Sequence, residues 1–305
     1  MNDHRHHHEP SHQGHGHDHD HRQAPGDVDW EAIANMLEFE GEMLSPHIDD
    51  AIRWARELCL GGAPSRVVDL GSGPGVASVR LATEFADATV LAVDGSDGLL
   101  QRARQRAAQA GVADRFSTAV VDLSDPAADS ALTTAVDGAD LVWVSMVLHH
   151  VPDPAHVLSV LRPAMASGGV VIIAEFGSPL RVLPTEAVTP DGLFERIDVE
   201  TARSLAEHVG GRNTHADWSA LLIDAGFENL GTQDSAFDVD APLDAAHREW
   251  AQAHLRRVRS MSPDRLDAAD LAAIDDLLDL SSPLGLATRS DALIRTSRLL
   301  TAGRA

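Results

Sequence analysis

Three acidic residues lie in or just after short apolar runs: Asp69 in Val67-Val68-Asp69-Leu70, Asp94 after Val90-Leu91-Ala92-Val93, and Asp122 after Val120-Val121. In an open α/β sheet, ligands bind outside the carboxyl ends of the strands, where such acids can accept their hydroxyls. The first run enters a turn, Gly71-Ser72-Gly73-Pro74-Gly75. Glycines there permit positive φ and close approach of a ligand, and the free N–H groups of a following helix can hold an anionic group. The dinucleotide fingerprint G-x-G-x-x-G is incomplete, because Val76 occupies the place of its third glycine. Asp94 follows the turn by about 20 residues, the separation at which an acid takes both hydroxyls of a ribose. A second group could move protons. His149 and His150 follow the apolar run Leu141–Val144, and Glu175 ends the run Val170–Ala174. A histidine or carboxylate within reach of a hydroxyl can act as its general base.

Those positions need a scaffold of buried strands, and the pattern supplies one. Apolar segments at 66–70, 88–93, 116–121, 141–144 and 170–174 alternate with helical patterns at 76–85, 96–110, 126–136 and 154–165. Strands separated by helices imply a doubly wound, mostly parallel α/β sheet. Residues 28–60 read as helical, with Ile48, Ile52, Ala55 and Cys59 on one stripe and Pro46 in a first turn behind Ser45. Residues 178–200 read as irregular, 201–209 and 216–225 as helices, 227–237 as a strand, 242–261 and 263–280 as helices, and 292–300 as the last strand.

Composition removes several chemistries. The 305 residues carry a formal charge of -23, and all 24 basic residues are Arg. Without Lys there is no Schiff-base nucleophile and no P-loop lysine. Tyr is absent as well, which removes a Tyr/Lys proton-transfer pair. Cys59 is the sole cysteine, so intrachain disulfides, iron–sulfur clusters and Cys-based zinc sites are excluded. The acidic surface argues against nucleic-acid partners and against anionic membranes. No apolar run approaches the ~20 residues of a membrane helix. The polar N-terminus is unlike a signal peptide, and a cytoplasmic protein is the expectation.

The motifs, taken in order, resemble class I S-adenosylmethionine-dependent methyltransferases. Asp69-Leu70-Gly71-Ser72-Gly73-Pro74-Gly75 looks like that family's first motif, Asp94-Gly95 like its ribose-binding acid, and Asp122-Leu123 like the pair flanking the adenine. Val142-Trp143-Val144-Ser145 through His149-His150-Val151 is similar to the fourth-strand motif. Leu161-Arg162-Pro163 through Gly168-Gly169-Val170 is similar to the turn before the fifth strand. The resemblance implies a Rossmann-like, seven-stranded sheet whose last strand is antiparallel. It implies S-adenosyl-L-methionine as cofactor, held by Asp69, Gly71, Ser72, Gly73, Gly75, Asp94, Gly95, Asp122, Leu123 and Ser145. No Asn-Pro-Pro-Tyr motif of amino methylation on nucleic acids is present.

The expected organisation is a His-rich tail at 1–26, a helical lid at 27–62 and a cofactor-binding core at 63–177. A lid insertion at 178–213 follows. The remainder of the core is 214–305, carrying a helical insertion at 238–288. Trp30, Phe39, Met43, Phe194, Trp218 and Trp250 could line a pocket beneath the lid. A helical cap suits a small, partly apolar acceptor, with methylation at oxygen catalysed through His149, His150 or Glu175. No resident metal is expected there. Nine of the seventeen histidines lie between His4 and His21, where weak metal binding is expected. The N-terminal helices could make a homodimer. Two other readings remain open: a metal-handling protein on a degenerate methyltransferase scaffold, and a nicotinamide oxidoreductase on a similar sheet.

Overall fold

The computed structural model describes residues 30–59, 62–184, 187, 189–208, 216–261 and 264–305. The His-rich tail and its expected metal binding lie outside the described residues, as do His215 and the side chains of Trp30 and His208. Ten helices and seven strands alternate along the described chain. They are α1 (Trp30–Met43), α2 (Ser45–Leu58), β1 (Arg66–Leu70), α3 (Val76–Glu84), β2 (Thr89–Asp94), α4 (Asp97–Gln109), β3 (Phe116–Val120), α5 (Asp129–Val136), β4 (Leu141–Ser145), α6 (Pro154–Ala164) and β5 (Val170–Phe176). After these come α7 (Leu193–His208), α8 (Trp218–Asp224), β6 (Glu228–Val239), α9 (Ala245–Met261), α10 (Ala268–Leu278) and β7 (Ile294–Arg304).

The strands form one seven-stranded sheet in the order β3-β2-β1-β4-β5-β7-β6. β1 to β5 pair in parallel, and β7 runs antiparallel to both β5 and β6. The dinucleotide fold has the order 3-2-1-4-5-6. Insertion of β7 between β5 and β6 sets this sheet apart from it, against the oxidoreductase reading.

Side chains of a strand alternate between faces, and both faces here are covered. Val67, Val90, Leu141, Trp143, Val170, Ile172 and Leu300 meet α2, α3 and α4 on one side. Val68, Leu70, Val93, Val142, Val144, Val171 and Ile173 meet α5, α6 and α8 on the other. Each large apolar side chain sealed in these layers contributes roughly 1.5–3 kcal/mol. Local signals start the helices where the sequence predicts. Ser96 caps α4, Asp153 caps α6 ahead of Pro154, and Asp217 caps α8, each accepting from a backbone N–H in the first turn.

Several expectations change in the structure. The helical stretch 28–60 breaks at Leu44, because Pro46 cannot donate to a preceding turn. Leu44 holds the cap position of α2, and Pro46 stands behind Ser45 in the first turn as expected. α2 is not a lid: Ala51, Ile52 and Ala55 are buried against the sheet. α7 starts at Leu193 rather than Thr201, since Leu193 and Ile197 supply a buried stripe through the region read as irregular. The last strand runs on to Arg304. Trp218 packs under α6 with Leu222 and Phe227, far from any cap, and Trp250 is core within the cap itself. Among the described residues no helix is long and apolar enough to cross a membrane.

α7, α9 and α10 form a third cluster with Val182, Leu183, Leu286 and Ile294. Phe39 and Met43 of α1 pack on it, so α1 bridges core and cap. One ion pair ties α7 to α10. Arg196 donates from Nε and Nη2 to the two carboxylate oxygens of Asp270, both at 2.6 Å, and Asp270 is 0% exposed. Removal of one partner from such a pair leaves a buried charge without compensation. Arg196→Ala is therefore expected to lower the midpoint of chemical denaturation, with Arg196→Lys recovering only part because the ammonium lacks the fork.

Candidate active site

The turn after β1 is held in shape by hydrogen bonds from its own backbone. Ser72 N–H donates to the Val93 carbonyl at 2.9 Å, and Gly75 N–H donates to the Ser72 carbonyl at 3.0 Å. Asp94, at the tip of β2, accepts from Gly73 N–H with Oδ2 and from Ser96 N–H with Oδ1, both at 2.9 Å. Its side chain thus clamps the glycine turn to the start of α4. Each carboxylate oxygen keeps a further lone pair for a ligand hydroxyl. Gly71 and Gly75 have positive φ and are packed tight: a Cβ at Gly71 would lie 2.0 Å from Val147 Cγ2, and one at Gly75 2.7 Å from Ala103 Cβ. Gly73 faces open space instead, with Leu37 of α1 the nearest contact at 3.8 Å.

These features fit S-adenosylmethionine. The Gly73 face is a cradle that any side chain would fill. The Ser72 hydroxyl is buried without a hydrogen-bond partner among the described residues, a polar atom that a ligand can satisfy. Gly95 sits beside the tip of β3, where a Cβ would stand 3.7 Å from Asp122 Cα. Asp122 is exposed and accepts from Ser124 N–H at 2.8 Å. A shallow cleft runs beside it, lined by Leu123, Pro126, Val151, Pro152 and His156. Ser145 ends β4 opposite Ala174 of β5.

Asp69 does not stand at the crevice. It lies inside β1, 2% exposed, and accepts from Ser78 Oγ of α3 at 2.5 Å. Burial pushes its pKa up to about 7; the Ser78 hydrogen bond opposes the rise and the Asp94 charge adds to it. This acid joins strand to helix, while Asp94 and Asp122 hold the crevice positions.

Of the three proton-transfer candidates, His149 and Glu175 meet in an arrangement that changes their roles. Glu175 is 0% exposed. Its Oε1 accepts from the backbone N–H groups of Val147 at 3.0 Å and Leu148 at 2.8 Å, and its Oε2 lies 2.6 Å from Nδ1 of His149. All its contacts are internal, so Glu175 is not a base open to an acceptor; it holds His149. With Nδ1–H donating to Glu175, the imidazole carries its lone pair on Nε2. Nε2 of His149 has no hydrogen bond among the described residues. The His149 ring lies 3.9 Å from that of His150 and 4.7 Å from that of Phe176. Burial first, and the neighbouring His149 second, lower the pKa of His150, which keeps it neutral near pH 7. Two further histidines, His47 and His254, are neutral as well. Burial and the Arg298 charge pull His47 to about 4, and burial and Arg257 pull His254 to about 4.

Sequence reasoning passed over Arg298. It sits in β7 opposite Phe176, with its Cζ 5.8 Å from that ring. No sequence signal sets it apart, since Arg295, Thr296 and Ser297 precede it in the same strand.

Comparisons with known proteins bear on the family and the fold. A family model described as a methyltransferase domain matches residues 63–226. A trans-aconitate 2-methyltransferase of Variovorax paradoxus (strain S110) is 36% identical over 142 residues, 45% of this chain and 50% of that protein. A 27-O-demethylrifamycin SV methyltransferase of Amycolatopsis mediterranei (strain S699) is 29% identical over 173 residues, 56% of this chain and 57% of that protein. The chain thus spans about half the length of the curated relatives it matches. Among solved structures, a candidate methyltransferase of Bacillus halodurans C-125 superposes with a TM-score of 0.51 at 16% identity, over 83% of this chain and 97% of that one, a likeness of fold.

The Asp69 environment sets a pH dependence. The folded protein binds this proton more tightly than an unfolded chain with the ordinary value of 3.8. Its favourable contribution is full below about pH 4 and is lost as the pH rises through about 7. Asp69→Asn should therefore gain stability relative to the parent between pH 5 and pH 8. Urea denaturation at the two pH values reads the difference, and an equal gap at both would exclude the mechanism.

Proposed function

The chain belongs to the class I S-adenosylmethionine-dependent methyltransferase family, and from that premise we propose that it transfers a methyl group to an oxygen of a small-molecule acceptor. The observation that carries the reading is Asp94, which clamps the glycine turn and retains lone pairs toward the Gly73 cradle. In this reading Asp94 accepts the ribose hydroxyls, Ser72 Oγ and the turn backbone hold the amino-acid portion, and Asp122 and Leu123 flank the adenine. Bound S-adenosylmethionine supplies an electrophilic sulfonium methyl. Methyl transfer then asks the protein for alignment and for a site sheltered from water. α1 and the cap formed by α7, α9 and α10 flank the site and supply the shelter.

His149 is the base of this scheme. Its Nε2 accepts the proton of the acceptor hydroxyl, and the Glu175 carboxylate fixes the tautomer and stabilises the imidazolium that forms. Glu175 acts through His149 and is a positioning residue. The relatives support a small acceptor: both are named for small molecules, and one name assigns the methyl to an oxygen.

Calorimetric titration of S-adenosylmethionine and its demethylated product into the protein tests the cofactor. Saturable binding is expected, weakened at least tenfold by Asp94→Ala; a folded protein that binds neither molecule overturns the reading. For the base, His149→Gln should lower kcat about 10²-fold with cofactor affinity unchanged. An unchanged kcat removes His149 from the chemistry and leaves alignment alone.

A further inference from the structure

Every other described arginine donates to a carboxylate, a carbonyl or another polar side-chain atom. Arg298 alone among the described residues has no hydrogen bond from its guanidinium, in a chain whose formal charge is -23. Acids are plentiful, so the lack of a counter-ion is a property of its place. Arg298 pairs with Phe176 of β5 and Ser235 of β6 on the sheet face that carries α2. The acids whose charges act on it are Glu40 of α1 and Glu175 of β5, and both are committed elsewhere. Glu40 accepts from Arg257 of α9, and Glu175 accepts from Val147, Leu148 and His149. Its cross-strand partner on β6, Ser235, is uncharged. Ser235 Oγ is hydrogen-bonded to His47 Nδ1 at 3.1 Å, and His47 carries no charge near pH 7. Burial pulls the Arg298 guanidinium below the usual arginine range, yet none of its nitrogens is sealed from solvent.

A half-buried guanidinium with open nitrogens and no partner can receive a ligand, and an arginine fork matches the two oxygens of a carboxylate. The position lies at the carboxyl edge of β5 and on the acceptor side. β4, β5 and β7 follow β1 in the sheet, so at ~4.8 Å per strand Arg298 is ~14 Å from the glycine turn. Phe176 is a shared wall: its ring lies 5.8 Å from Arg298 Cζ and 4.7 Å from the His149 ring.

We propose that Arg298 anchors the acceptor, and that the acceptor is therefore a small organic acid whose carboxylate pairs with this guanidinium against Phe176, next to His149. The assignment rests on the methyltransferase reading above and narrows its substrate class. A carboxylate fits better than a phosphate ester: one arginine supplies one fork, and Glu40 and Glu175 nearby would repel a dianion.

The test uses the full chain saturated with S-adenosylhomocysteine. Succinate, citrate and inorganic phosphate are titrated by calorimetry, with dimethyl succinate as uncharged control, into the parent, Arg298→Gln, Arg298→Lys and Arg298→Met. The parent should bind at least one carboxylate and not the diester. Arg298→Gln and Arg298→Met should weaken that binding tenfold or more, and Arg298→Lys by less. S-adenosylhomocysteine affinity should stay within twofold throughout, and the melting temperature of Arg298→Met should hold or rise, because an uncompensated charge has gone. Carboxylate affinity unchanged in Arg298→Gln overturns the proposal, as does binding of phosphate in preference to carboxylate. Loss of S-adenosylhomocysteine affinity in the variants would mean that Arg298 holds the cofactor's own carboxylate. A parent protein that binds S-adenosylhomocysteine but no carboxylate ends this proposal and leaves the methyltransferase reading standing. Failure to bind S-adenosylhomocysteine at all ends both.

Discussion

The carboxylate of Glu175 holds together the part of the molecule where the chemistry is proposed. β4 is followed by Met146, a residue other than glycine at φ 56°, a left-handed conformation that costs free energy unless its surroundings enforce it. Enforcement comes from Met146 N–H on the Ala174 carbonyl and from the next two N–H groups on Glu175 Oε1. The other oxygen of the same carboxylate fixes His149. Three hydrogen bonds to its two oxygens satisfy the buried carboxylate within the fold. The turn so formed pushes Val147 against Gly71, where no side chain has room. Acceptor side and cofactor side of the crevice are thus in direct contact, and the shape of one constrains the other.

Electrostatics of a different strength govern the outer layer. α1 presents Asn35, Glu38 and Glu42, spaced three and four residues apart on one face, to Arg80, Arg102 and Arg106 of α3 and α4. Its Glu40 reaches across to Arg257 of α9. These groups are partly open to water, where an individual ion pair contributes at most about 1 kcal/mol. A segment held by several weak pairs and a few apolar contacts can detach at modest cost. The sheet beneath has sealed apolar layers on both faces and cannot. Rigid floor and separable cover are what a site that must admit and then shelter a ligand requires.

Arg298 and Glu175 illustrate how one interior treats two charges differently. Glu175 is surrounded by donors from a single turn and is satisfied within the fold. Arg298 stands where the nearby acids already have partners, and its fork stays open. The first arrangement shapes a site, and the second leaves a demand for a ligand.

The strands and helices of the core were legible from the sequence because local rules suffice for them: apolar runs of strand length, Ser96, Asp153 and Asp217 at helix starts, and glycines at the turn after β1. The spacing of Asp94 from that turn carried the cofactor reading for the same reason, since a parallel β-α-β unit fixes where the second strand must end. Direction and partnership were not legible. Periodicity marks Asp69 as part of a buried strand but not that its carboxylate turns to Ser78. It marks 48–59 as a one-sided helix but not that the sheet, rather than a pocket, covers the stripe. Glu175 and His149 are 26 residues apart in sequence, and only the pairing of β4 with β5 sets them 2.6 Å apart. Arg298 reads in sequence like the other arginines of an acidic chain. Insertion of the antiparallel β7 beside β5 places it opposite Phe176 and out of reach of a free carboxylate. Local sequence determined which segments form and where the glycine turn lies; long-range strand pairing decided which charges meet, because that choice depends on residues far apart in the chain.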